Sequence, residues 1–446
     1  GQGAGFSQTT GNSITVVGHN AAGSNTTANN TTAIGQNALL SNTTGGENTA
    51  VGSTSLDANS TGTANTAIGY AALGANTTAN NNTSVGYNSL TSNTTGTLNV
   101  AVGANALDAN TTASNNTAVG YNSLGLNTTG ASNVAVGKDS LALNTTASNN
   151  TAIGLSALEQ NTTGSSNVAV GANALDANTT AVNNTAVGAS ALGANTTASS
   201  NTAIGTETLL SNTTGTNNTA LGSESLKSNT TANNNTALGK SALGANTTGS
   251  SGVAVGAFSL QNNTTGSNNT AVGNSCLDAN TIGASLTAIG QDALGANTEG
   301  SSNTAVGKSA LSNNTTASNN TAVGLNALAA NTTGTANTAI GKSAGDSVTT
   351  GSNNTLIGTG AGTTSSPGGS INVSSNHIVL GDNSVSNLFC ADTTISSSDS
   401  RDKTDITDFT QGLSWINSLR PVTFRWDRRT WYGTDACLLY TSPSPR

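Results

Sequence analysis

Aliphatic and polar positions recur along this chain at one fixed spacing. Val, Ile or Leu stands immediately before a glycine at Gly18, Gly35, Gly52 and Gly69, and so on to Gly358. The 340 residues between the first and last of these 21 glycines divide into 20 steps of 17, without insertion or deletion. A second ladder, of Leu, lies four residues after the glycine and runs unbroken from Leu39 to Leu328 in 18 copies. Three residues beyond that position stands Asn, from Asn25 to Asn331 in 19 copies. The unit reads Asn-Thr-Ala-Val-Gly-x-x-Ala-Leu-x-x-Asn-Thr-Thr-Gly/Ala-x-x.

A 17-residue unit is too short for paired helices and does not follow a heptad. Thr-Ala-Val is a short strand with alternating faces, and the following Gly allows a corner that other residues resist. The Ala-Leu step turns inward, and Asn-Thr-Thr supplies a second short strand or a turn. The pattern predicts an all-β fold, a parallel β-solenoid of 17-residue coils, with Val119 and Leu124 inward in every equivalent coil. On that reading Val187→Asp buries an unpaired charge and costs several kcal/mol. Identical coils set Asn on Asn, so side-chain amides can bond along the axis. Constant length follows, because one extra residue would turn inward side chains outward.

Each coil offers only two large aliphatic side chains, roughly 3–6 kcal/mol if both are fully buried, against the ordering of 17 residues. So thin an interior predicts a homo-oligomer, most simply three-fold, whose chains bury a further apolar ladder side by side.

Composition narrows the function classes. Charged residues make up 7% and aromatics 3%, too few for ordinary globular domains, yet the strict period argues against disorder. A net charge of −8 and a pI near 4.5 leave no basic stripe for nucleic acid. Cys276, Cys390 and Cys437 form neither a disulfide framework nor a metal cluster, and no cofactor or metal is expected. His19 and His377 read as ordinary surface residues. No apolar run is long enough to span a bilayer. The chain starts at Gly1 and contains no Met, which reads as a fragment or processed product.

The character changes near the C-terminal end. All six arginines and all three tryptophans lie at or after Arg401. Residues 361–397 break the period around Ser365-Ser366-Pro367-Gly368-Gly369. Gly381 then follows Gly358 by 23 residues, one repeat plus six, which predicts a loop and a further strand. Four segments result: a repeat shaft over 1–360, a connector with further short strands over 361–397, a distinct segment over 398–435, and an extension over 436–446 that does not continue the pattern.

Two resemblances stand on these residues. Repeats such as Asn116-Thr117-Ala118-Val119-Gly120 resemble the heads of trimeric autotransporter adhesins, which are left-handed parallel β-rolls in a trimer. They also resemble repeat arrays of viral tail and fibre proteins. The period of 17 is longer than is usual in the adhesin heads. Residues Ser398-Asp399-Ser400-Arg401-Asp402-Lys403, followed by Leu419-Arg420-Pro421-Val422-Thr423-Phe424-Arg425-Trp426, are similar to the start of the endosialidase-type intramolecular chaperone. That resemblance implies a short α-containing remnant, trimerisation of the fibre, and self-cleavage between Ser397 and Ser398. In it Ser398 is the nucleophile and Lys403 the activating base.

Seventeen of the ladder asparagines are N-glycosylation sequons: Asn25, Asn42, Asn59, Asn76, Asn93, Asn110, Asn127, Asn144, Asn161, Asn178, Asn195, Asn212, Asn229, Asn246, Asn263, Asn314 and Asn331. Asn280 and Asn297 lack the hydroxyl residue. In a eukaryotic secretory route these sites would carry sugars on one outward edge. The alternative is that Asn-Thr-Thr only makes the turn. The sequence therefore predicts an extracellular structural or adhesive fibre shaft, on a cell-surface appendage or a virion, without enzymatic activity beyond self-cleavage at the chaperone junction. A viral tail fibre recognising cell-surface glycans is the alternative, although the repeats show no aromatic platform for sugars. A lesser one is an ice-binding solenoid presenting files of Thr.

Overall fold

A computed structural model describes residues 1–387. The chain divides into two compact units, Gly1–Ser386 and Asn387–Arg446. The expected α-containing remnant lies outside the described residues.

The first unit is built on a single sheet. Twenty-two three-residue strands, β1 (Thr15–Val17) to β22 (Ile378–Leu380), make it up, all parallel. Each strand pairs with the next in a register of 17, as in Thr117↔Val134, Ala118↔Ala135 and Val119↔Val136. The last step differs, because β21 (Thr355–Ile357) pairs with β22 at an offset of 23. The sheet is thus wound from successive coils of one chain. Twenty-one coils at about 4.8 Å per strand spacing give a column of roughly 100 Å.

The sheet is only one side of each coil, and the turns are bonded between coils as well. Around Gly120, the backbone N–H groups of Asn122, Leu124 and Thr128 donate to the carbonyls of Ala104, Ser140 and Thr145 at 3.0, 3.0 and 2.9 Å. The Asn-Thr-Thr segment is a turn among the described residues, not a second strand. Such bonds on every side satisfy a backbone that has little regular secondary structure.

Two backbone features bend the chain round. Gly120 sits at φ 140, and a Cβ there would lie 2.4 Å from the carbonyl oxygen of Gly137 in the next coil, so only glycine lets the coils approach. Leu124 lies in the left-handed region at φ 52, as does every Leu of its ladder. That conformation costs a non-glycine residue about 1–2 kcal/mol. It turns Leu124 inward, where it is fully buried.

The strand face differs from the sequence expectation. The inward residue is Ala118, fully buried, whereas Val119 points outward and is 36% exposed. In a three-residue strand, alternation sends the middle side chain one way and its neighbours the other. The opposite wall already supplies Leu124, which fills the thin interior and leaves room only for Ala. Val187 is likewise only half-buried. Val187→Asp therefore leaves its carboxylate in reach of water, and in a single chain the expected cost drops to about 1 kcal/mol or less.

Near the C-terminal end the same volume is filled from the other wall. Gly345 and Gly362 take the Leu position, and Leu356 replaces the strand Ala and is fully buried. A Cβ built on Gly345 would stand 2.5 Å from Leu356 Cδ1. Gly345→Leu is expected to destabilise by about 1–3 kcal/mol through overpacking. Adding Leu356→Ala restores the regular Ala–Leu arrangement and should recover most of that loss. A double-mutant cycle of thermal unfolding checks it, and additive losses would contradict the exchange of volume.

Candidate functional site

The most ordered chemistry of the molecule is inside the column. Each ladder Asn is fully buried. Asn127 Nδ2 donates to Asn110 Oδ1 in the preceding coil at 3.1 Å and to the carbonyl of Gly130 at 2.9 Å, and Asn144 Nδ2 donates in turn to Asn127 Oδ1 at 2.8 Å. The same pattern links Asn25 through to Asn331, giving a file of amides that all point one way. Gln8 Oε1 accepts from Asn25 Nδ2 at the start of the file. At its far end Val348 replaces Asn, and Asn331 Oδ1 has no partner.

A second file lies just before the strands. Asn133 N–H donates to Asn116 Oδ1 at 2.9 Å, and Asn116 Nδ2 donates to the carbonyl of Gly130 at 2.9 Å. Gly252 and Leu286 interrupt this file. A third file is made of hydroxyls: Thr128 Oγ1 donates to the carbonyl of Thr145, one coil on, at 3.0 Å. These hydroxyls serve the neighbouring coil, which weakens the ice-binding reading for this file.

The glycosylation sites fall in this interior. The sequence placed Asn76, Asn93, Asn110 and their equivalents on an outward edge; the structure buries all of them. Both Nδ2 hydrogens are occupied, as at Asn178, which donates to Asn161 Oδ1 at 2.8 Å and to the Ala181 carbonyl at 3.2 Å. A sugar on Nδ2 would displace one of these bonds and has no room between stacked coils. Peptide mapping after expression through a glycosylating secretory pathway is expected to find the ladder sequons as bare as Asn280 and Asn297. Glycans at the ladder positions in folded material would contradict the buried arrangement.

The outer surface carries one feature that sequence reasoning assigned to the core. The third strand residue is Val, Ile or Leu in all 21 coils from Val17 to Ile357, and it faces outward every time. A usable signal was present in the repeat. The middle strand residue is Ala in 18 of these 21 strands, the mark of a position where nothing larger fits. Tyr70 and Tyr87, each directly after the repeat glycine, are exposed and stacked with centroids 5.4 Å apart and planes at 14°. The repeats are therefore not wholly without surface aromatics, although these two rings turn their faces to each other.

The titratable groups are few. Lys227 bridges Glu207 at 2.7 Å and Glu224 at 3.5 Å on the surface. Cys276 is buried, donates to the Ala288 carbonyl at 3.2 Å, and has its thiol pushed up to about 12 by burial. A thiol so protonated is a poor nucleophile. Among the described residues no group of three or more His, Cys, Asp or Glu could hold a metal, and no helix is long and apolar enough to cross a membrane. Ser398 and Lys403 lie outside the described residues.

Comparison with known proteins adds one finding. Residues 398–436 match the family of the chaperone of endosialidase, beginning at Ser398. No curated protein matches the chain. A repeat-built β-solenoid followed by such a segment has the makeup of a fibre protein with a C-terminal chaperone.

Proposed function

We propose that residues 1–386 are the shaft of an extracellular fibre, on a surface appendage or a virion, which assembles with copies of itself as a trimer. The observation that carries this reading is the uninterrupted stacking of 21 coils, closed internally by the amide file from Asn25 to Asn331. Such a column presents regular surface and a bonded interior rather than a cleft with converging reactive groups. Negative-stain microscopy of the purified chain tests it: rods of roughly 100 Å are expected, and compact globular particles would sink the reading.

The chaperone match favours a second element, self-cleavage. Ser398 Oγ would attack the carbonyl of Ser397 as Lys403 takes the hydroxyl proton. The amide C–N bond between the two residues would break with that proton passing to the Ser398 amine, and water would hydrolyse the resulting ester, releasing the shaft ending at Ser397. Intact-mass measurement of the expressed full chain should find this product, and Ser398→Ala should abolish it. Tail-fibre recognition of glycans is the alternative reading, and the exposed Tyr70–Tyr87 pair is the surface feature that favours it.

A further inference from the structure

We infer that the outward aliphatic stripe from Val17 to Ile357 is the surface along which three copies of this chain pack, parallel and in register. The inference rests on the shaft reading above and names the surface it uses.

The stripe is continuous, with one aliphatic side chain per coil and no charge at any of its 21 positions. Val119 is 36% and Ile340 43% exposed. A fully buried aliphatic side chain removes roughly 60–120 Å² from water. Thirteen stripe positions are 36–56% exposed and the other eight are half-buried, so the stripe offers on the order of 400–900 Å² per chain. A stable interface takes about 800 Å² from each partner, and contiguous apolar patches this large mark interaction sites.

The partner is a second copy because only another column with the same coil spacing can match the stripe residue for residue over its whole length. An unrelated surface would drift out of step within a few coils. The width of the stripe selects three chains. The other outward strand position is Thr in 17 of the 21 strands, with Val only at 100, 134, 168 and 253. Two sheets packed face to face would bury both files, and with them most of these hydroxyls. Three chains about a common axis place only the aliphatic file at the centre and leave the Thr file at the flank.

Cross-linking tests orientation and surface together. The experiment uses the full chain with Cys390→Ser and Cys437→Ser, and a short bis-maleimide; buried Cys276 is left in place. Val306→Cys is expected to link to Val306→Cys of another chain, since residue 306 meets itself only in a parallel, in-register assembly. An antiparallel pairing would instead join Val51→Cys to Val323→Cys when the two variants are mixed and refolded together, and that result would overturn the inference. Replacing Val272, Ile289, Val323 and Ile340 with Thr should lower the linkage at 306 by more than about tenfold, with circular dichroism unchanged. Undiminished linkage would place the contact elsewhere and overturn the assignment of the stripe. Light scattering should give three chains per particle; two chains would overturn the three-fold arrangement. Single-chain rods would overturn the whole inference and the trimer with it, and leave only the rod-like fibre shaft standing.

Discussion

Gly188→Ala is expected to destabilise the column by roughly 2–4 kcal/mol, although it adds a single methyl group. Gly188 lies at φ 136, and a Cβ there would stand 2.4 Å from the carbonyl oxygen of Gly205. Neither partner can yield cheaply, because both are backbone and Gly205 meets the next coil in the same way. The control is Gly193→Ala, five residues on. Its Cβ would meet nothing closer than Leu210 Cδ1 at 3.2 Å, the end of a flexible side chain, and its φ is not left-handed. That change should stay within about 0.5–1 kcal/mol. Thermal unfolding of the two variants decides the matter, and equal stabilities would show that the close approach of coils does not limit the corner. Hydrogen exchange should locate the damage in the coils flanking residue 188, because a solenoid couples chiefly to nearest neighbours.

The second large effect is expected at the amide file. Asn178→Ala removes the donor to Asn161 Oδ1 and to the Ala181 carbonyl, and also the acceptor of Asn195 Nδ2 at 3.1 Å. Three buried hydrogen bonds are lost at once, and Asn161 Oδ1 is left without a partner, at about 1–3 kcal/mol. The Ala181 carbonyl still accepts from Asn167 Nδ2, and Asn195 Nδ2 still donates to the Ala198 carbonyl. A loss of roughly 2–5 kcal/mol follows if little water enters. Exposed Asn274→Ala should stay within about 0.5 kcal/mol. Equal unfolding temperatures for the two variants would show that the file contributes nothing to stability. The orphaned Asn331 Oδ1 gives an internal comparison. Asn331 lacks an incoming donor, so Asn331→Ala breaks two partnerships rather than three and should cost less than Asn178→Ala.

The mismatch over Val119 shows where sequence reading reached its limit. The Val119 position is aliphatic in all 21 coils and the Leu124 position is Leu in 18 of them, and recurrence of a large aliphatic residue reads as burial. Hydrophobicity alone carries no direction, however. A three-residue strand has too few alternations to declare which face is inward, and both assignments satisfy the same period. The asparagines posed the same ambiguity, since Asn-Thr-Thr is at once a sequon, a surface turn and a ladder. Their one-per-coil spacing was visible. Their burial depends on the turn after Leu124 aiming the amide at the neighbouring coil rather than at water.

What the sequence by itself determined is the coil: its length of 17, its parallel stacking, its glycine corner and the inward Leu. Each of these follows from local chemistry repeated at constant spacing, which no other arrangement can satisfy without breaking the period. Tertiary structure decided the facing of side chains. A left-handed Leu124 fills the interior from one wall, so the opposite wall can hold only Ala118, and Val119 is displaced to the outside. That volume constraint acts between residues on opposite walls, six positions apart in the chain, and it exists only once the coil has closed.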